Sequence, residues 1–200
     1  MNTATSSQAY FDYLTQRSLS GLIYRRLFLY PRLSRMLAGR ILDYGCGIGD
    51  FLFYRKNSSG VDINQHGVDY CKSRGLDVLL VTDGIIPHTE SSFDSVILDN
   101  VLEHIPPADV DRTLDEIMRV LRPGGTLLVG VPGIKGYAAD SDHKCFYTES
   151  DVISLLAGYG AIPKKVLHAP FRSQWANRHM SQYCVYIAFK CNLDEAARDT

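Results

Sequence analysis

Apolar and polar positions alternate along this chain in two periods. From Val110 to Leu121 the apolar residues Val110, Leu114, Ile117, Met118 and Leu121 recur at helical spacing, after Pro106 and Pro107 open the segment. Arg122-Pro-Gly-Gly125 stops it. Phe93 to Asp99 is apolar on both faces, the pattern of a central parallel strand. Shorter strand patterns stand at Ile41–Leu42, Val61–Ile63, Asp77–Val81, Thr126–Val131, Ile162–His168 and Tyr183–Lys190. Helical patterns stand at Gln8–Leu19, Leu22–Ala38 with a break or kink at Pro31, Gln65–Arg74, and Thr148–Tyr159 behind a capping box from Thr148 to Asp151. Met1 to Ser7 is small and polar and reads as frayed. Gly133 to Tyr147 reads as a long loop. Strands alternating with helices predict a parallel α/β sheet. No helical segment lies between the last two strands, which predicts an antiparallel pair at one edge. No internal repeat is visible.

Two hundred residues make one domain of ordinary size with a full core. The net charge is −1, but the charge is unevenly placed. Gly21 to Arg40 holds five arginines and no acid, and Val152 to Leu193 holds five Lys or Arg and no acid. If the two segments meet at one face, that face attracts an anionic substrate or an anionic membrane surface; solvated helix faces are the plainer reading. The five cysteines show no C-x-x-C pair, so neither a disulfide framework nor a zinc site is indicated. No stretch is long enough to span a bilayer and no signal-peptide core is present, which makes the cytoplasm the expected compartment.

The chemistry begins in Arg40–Asn64, RILDYGCGIGDFLFYRKNSSGVDIN. A buried strand runs into a turn with Gly45, Gly47 and Gly49, then a short helix, then a strand ending at Asp62. Alternate glycines let a ligand lie against main-chain N–H groups, and the carboxylate after the second strand suits a ribose diol. The dinucleotide fingerprint G-x-G-x-x-G does not fit, because no glycine stands at position 50. Asp43 and Asp50 flank the turn, an anionic setting better suited to a sulfonium with an α-amino group than to a diphosphate.

DYGCGIG, VDIN, TDG from Thr82, FDSVILDNVLEHI, LRPGGTLLVGVP and DHKCFYTESDVISLLAGYGA stand in the order found in class I S-adenosylmethionine (SAM) dependent methyltransferases. The chain resembles the ubiquinone-biosynthesis-type small-molecule O-methyltransferases of the type 11 group. The N-terminal forty residues and Pro170–Ser181 lie outside the resemblance. It implies a Rossmann-like, doubly wound, mostly parallel seven-stranded sheet with an antiparallel edge strand, and SAM across the carboxyl ends of the strands. It divides the chain into an N-terminal helical cap, 1–40, and a methyltransferase domain, 41–200. Asp43, Gly45, Cys46, Gly47 and Gly49 would hold the methionine portion. Asp62 would take the ribose hydroxyls, Ile63 would pack on adenine, and Asp83 with Gly84 would meet the adenine amino group. Asp99, Asn100 and Val101 would line the sulfonium and substrate side. Only twelve residues separate Gly49 from Asp62, so the first helix must be short.

Methyl transfer to a hydroxyl needs a base, and His104 and His143 follow strand ends on the expected ligand side. Capping or packing at the cofactor rim is the plainer role for His104. Asp142 could orient His143, but only if the loop makes a favourable turn. Relatives of the resembled group raise a metal question at Glu103-His104, but Asn100 stands where a further acid would help, so no tightly bound metal is expected. The acceptor pocket is expected from Tyr10–Tyr30, Gly133–Tyr147 and Phe171–His179, which carries the single tryptophan, Trp175. The basic segments point to an anionic acceptor: a lipid-linked or nucleotide-linked sugar, or a phosphorylated or carboxylated metabolite. Nucleic acid is not expected, because Asp99-Asn100-Val101-Leu102 replaces the tetrad of nucleic-acid methyltransferases. Two rivals stay open, a non-catalytic SAM-binding partner subunit and an NAD-dependent oxidoreductase.

Overall fold

A computed structural model describes residues 8–15 and 18–192, without the Tyr13 side chain. The frayed start expected at Met1–Ser7, the junction inside the Gln8–Leu19 helix and the Tyr13 ring lie outside the described residues.

Seven strands form one sheet: β1 (Ile41–Tyr44), β2 (Ser58–Asp62), β3 (Val78–Leu80), β4 (Phe93–Asp99), β5 (Leu121–Pro132), β6 (Ala161–Ala169) and β7 (Cys184–Cys191). Their order is β3-β2-β1-β4-β5-β7-β6. The first five pair in parallel. β7 runs against both β5 and β6. The antiparallel pair thus sits at one edge as the pattern predicts. The strand that opposes the rest is β7, one place in, and β6 forms the edge itself. β5 begins five residues earlier than expected, because Leu121 pairs with Phe93 before the Pro-Gly-Gly stretch.

Strand periodicity divides the core into two layers. Leu42, Val96, Leu98, Leu127, Val129 and Ile187 meet α6 (Val110–Val120) and α8 (Glu149–Ala157) on one face. Ile41, Ile97, Leu128, Tyr186 and Ala188 meet Leu29, Tyr30, Leu33 and Leu37 on the other. Thr148 caps α8 through the expected capping box with Asp151.

The basic N-terminal segment is one continuous helical run. α2 (Leu19–Tyr24) passes through a π-helical turn, Arg25–Leu29, into α3 (Tyr30–Ser34). Pro31 does not break it. The wider turn places Pro31 at the start of α3, where its missing N–H is tolerated. The run buries Tyr30 and Leu33 and leaves Leu27 and Phe28 in solvent.

The helix after the glycine turn, α4, is only Asp50–Tyr54, as the short spacing to Asp62 requires. The Gly133–Tyr147 loop contains a single helical turn, α7 (Ile134–Tyr137). The remaining helices are α1 (Gln8–Thr15), α5 (Gln65–Ser73) and α9 (Gln174–His179). Among the described residues no helix is long and apolar enough to cross a membrane.

Candidate functional site

A cavity of about 1070 Å³ opens at the carboxyl ends of β1, β2 and β4. This is where open α/β sheets take ligands, and the volume is at the top of the usual range for small-molecule sites. Every cofactor-side residue expected from the sequence except Gly49 lines it.

Gly45 has φ +75°, and a Cβ there would lie 2.6 Å from Val101 Cγ2, so only glycine fits between the turn and the β4 end. Gly49 has φ +78°, forms the N-cap of α4 and packs toward α5, behind the cavity. Cys46 lines the cavity, while its thiol packs in a small cluster with Leu52, Val68 and Cys71.

Asp62 is buried at the end of β2. Its Oδ2 accepts from Gly47 N at 2.7 Å and its Oδ1 from Asn64 N at 2.8 Å. Burial raises its pKa, and these backbone N–H groups work against that rise. The carboxylate ties the glycine turn to the second strand, and each oxygen keeps a lone pair for a further donor. Ile63, beside it, is exposed and lines the cavity. Asp83 and Gly84 close the far end with φ +51° and +73°.

Asp99 is held by groups that the motifs do not contain. The Arg25 guanidinium pairs with it from the π-helical turn, Tyr186 Oη donates at 2.7 Å and Asn100 Nδ2 at 2.9 Å. Arg25 Nε also donates to Tyr30 Oη at 2.9 Å. Burial alone would lower the Arg25 pKa, but Asp99 and Tyr30 raise it well above normal, so the cation is permanent. Burial, with Asp99 and Asp62 nearby, pushes Asp43 well above the carboxylate range. An isolated arginine in a basic helix carries no sign that it will meet a strand end seventy-four residues away. That pairing belongs to the tertiary fold.

On the acceptor side the structure brings His104 and His143 together, with ring centroids 4.5 Å apart. The orienters differ from expectation. Asp142 faces His104, with Oδ2 3.5 Å from Nδ1, and also accepts from Lys144 Nζ at 2.8 Å. His143 is instead positioned by Tyr137. Its Nδ1 lies 2.7 Å from the Tyr137 carbonyl oxygen, and the two rings stack at 5.1 Å. A carbonyl only accepts, so Nδ1 carries a proton, and Nε2 is the nitrogen left to accept one. That nitrogen faces Glu103 Oε1 at 3.9 Å.

Glu103 is fully buried, and neither of its carboxyl oxygens has a hydrogen-bond partner. Burial, with Asp99 and Asp140 nearby, pushes its pKa up to about 8. Burial and His143 lower the pKa of His104, so it is neutral at pH 7. Glu103, His104 and His143 each offer one ligand atom, all within 4.8 Å of one another. They could therefore hold a cation, with His143 as the third ligand. Asn100 takes no part in this set: it donates to Asp99 and accepts from Cys184.

Two expectations about the acceptor pocket change. Tyr10, Tyr24 and Tyr30 line the cavity, as do Gly136, Ala139, Asp140 and His143, but no residue of Phe171–His179 does. Ala169, Ser181 and Gln182 stand there instead. Trp175 is 62% exposed and stacks on His179 outside. The lining also contains eight carboxyl groups against two guanidinium groups, Arg25 and Arg112. The cavity is therefore acidic, and the basic segments do not make it a site for an anionic reacting end.

A family model described as a methyltransferase domain matches residues 42–129. The methyltransferase GfsG of Streptomyces halstedii is 29% identical over 125 residues, covering 56% of this chain and 44% of that protein. A tRNA (carboxymethyluridine(34)-5-O)-methyltransferase of Arabidopsis thaliana is 32% identical over 94 residues, covering 46% of this chain and 23% of that protein. The chain thus spans less than half the length of these curated relatives. Among solved structures, a SAM-dependent methyltransferase of Thermotoga maritima, described as a possible histamine N-methyltransferase, superposes with a TM-score of 0.73 at 20% identity, covering 91% of this chain and 98% of that one. The fold is the one such enzymes share.

Proposed function

We propose that this chain, which carries a SAM-dependent methyltransferase domain, transfers a methyl group from SAM to a hydroxyl oxygen of a small or lipid- or sugar-linked acceptor. The observation that carries the reading is the cavity itself. It joins a glycine turn, a ribose-type carboxylate and an imidazole, His143, whose Nδ1 is held by the Tyr137 carbonyl and whose Nε2 faces Glu103.

The residues fit the cofactor. Gly45 leaves the β1 turn open to a ligand where a Cβ would collide with Val101. Asp62 offers lone pairs to a ribose diol, and Ile63 offers an apolar surface to a purine. The acid-rich lining favours a sulfonium and an ammonium and disfavours the diphosphate of a nicotinamide cofactor. Arg25, fixed against Asp99, is the cation available to a carboxylate on that side. When bound, SAM supplies an electrophilic methyl group on a positively charged sulfur. The protein's share is alignment, exclusion of water and removal of one proton. His143 takes the acceptor's hydroxyl proton at Nε2, and Tyr137 holds the ring in the tautomer that can do so. His104 packs against that ring and, being neutral, does not repel the proton as it arrives.

Calorimetric titration with S-adenosylhomocysteine on wild type and Asp62→Ala tests the cofactor assignment. Binding by wild type that is much weakened in the variant supports it. No binding by wild type, with binding of a nicotinamide cofactor, sinks it. Cofactor binding without turnover on any hydroxyl acceptor would instead identify a non-catalytic partner subunit. Because a relative carries a tRNA methyltransferase name, RNA is included among the acceptors assayed.

A further inference from the structure

Arg25 apart, the arginines of the two acid-free segments are exposed and do not line the cavity. Arg32, Arg172 and Arg178 are exposed, and among the described residues none of them has a carboxylate partner. The two segments meet: Arg32 Nη1 donates to the Pro170 carbonyl at 3.3 Å, next to Phe171. Large apolar side chains stand on the same segments as these charges, Leu27 and Phe28 on the helical run of Arg32, Phe171 beside Arg172, and Trp175 on the helix of Arg178. Leu27 is 64% exposed, Phe28 53%, Phe171 55% and Trp175 62%. Leu19 and Ile23 extend the stripe back along the helix at four-residue spacing, both exposed. The face starts at the cavity wall, because Phe28 stacks on Tyr24, a lining residue, at 6.3 Å.

We infer that this face docks the protein on an anionic lipid bilayer, with its apolar side chains in the acyl boundary and its arginines on the phosphodiester headgroups. An exposed apolar stripe on segments whose own charges are all positive matches such a surface in both respects, and among the described residues Asp50 is the one acid that borders it at Leu19, Ile23 and Leu27. A second copy of the chain fits less well, since self-pairing would set arginines against arginines. RNA fits less well too: the aliphatic Leu19, Ile23 and Leu27 have no ring face to stack on a base, and the net charge of the chain is −1. The cavity mouth would then open beside the membrane, where an amphiphilic acceptor could enter without crossing water. Docking is read without turnover, so its failure is distinguishable from failure of the methyl-transfer proposal.

Trp175 is the only tryptophan in the chain, so its emission reports on the face directly. The whole protein is titrated with vesicles of phosphatidylcholine alone and with vesicles containing phosphatidylglycerol, at low and high salt. The expected result is a blue shift of emission with the anionic vesicles, lost at high salt. The double variant Arg32→Ala/Arg172→Ala should bind these vesicles roughly 30-fold more weakly. Retained S-adenosylhomocysteine binding by that variant shows that it is folded. Four outcomes overturn the inference. One is no shift with anionic vesicles, and another is an equal shift with neutral ones. A third is a stronger response to an RNA oligonucleotide than to vesicles. The last is self-association in sedimentation that itself buries Trp175.

Discussion

Replacing Glu103 by glutamine should stabilise the protein progressively as pH rises. The side chain is 1% exposed, and its two oxygens lack partners. Its pKa is pushed from 4.5 to about 8 in the folded protein. A carboxyl whose folded pKa is raised binds more protons folded than unfolded, so stability falls as pH climbs between the two values. With 1.36 kcal/mol per pKa unit, the loss between pH 5 and pH 9 is at most about 4 kcal/mol, and local relaxation would bring it nearer ~2. Glutamine has no charge to desolvate and should show no such slope. Urea unfolding of both proteins at half-unit pH steps, with EDTA present, gives the difference curve. Glu103→Gln should gain about 2 to 4 kcal/mol on wild type across that range. A flat curve would refute the reasoning, because it would mean that the carboxylate is solvated or paired when ionised. A curve of opposite sign that appears only when a divalent ion is added would show that Glu103, His104 and His143 share a cation.

Four further outcomes follow from the geometry. Gly45→Ala should cost about 2 to 4 kcal/mol in chemical unfolding and abolish cofactor binding, since it combines a left-handed φ with a methyl group 2.6 Å from Val101. Arg25→Ala leaves Asp99, whose side chain is 8% exposed, with only neutral donors and should destabilise by roughly 3 kcal/mol. His143→Ala should lower kcat by 10²-fold or more and leave S-adenosylhomocysteine affinity near wild type, as expected of a base that does not touch the cofactor. Thr148→Ala should cost about 1 kcal/mol through loss of the α8 capping box, with activity unchanged.

The cofactor half of the site was legible because its requirements are local. A tight turn needs glycine where φ is positive, a strand end needs a carboxylate, and both stand within twenty-one residues, Asp43 to Ile63. The short spacing before Asp62 also announced the five-residue α4 correctly. The acceptor half was less legible. His104 and His143 are legible as residues, but the turn that would let Asp142 orient His143 is not made, and Asp142 faces His104. Trp175 was placed in the pocket because its segment lies outside the family motifs, and the structure puts it on the outer surface. At Pro31 the pattern allows a break or a kink, and the structure makes no break: a π-helical turn leads into α3.

By itself, then, the sequence determined the alternation of strands and helices, the parallel core, the antiparallel pair at its edge and the glycine–carboxylate cradle. Each of these rests on periodicity or on backbone demands over a few residues. Only the tertiary structure decided that Arg25 closes on Asp99, that Tyr186 joins them, that Glu103 is buried without a hydrogen bond near two imidazoles, and that the other arginines of the basic segments, and Trp175, lie exposed. Those contacts join residues far apart in the chain. Their energies come from burial and from charges brought together, which no local pattern encodes.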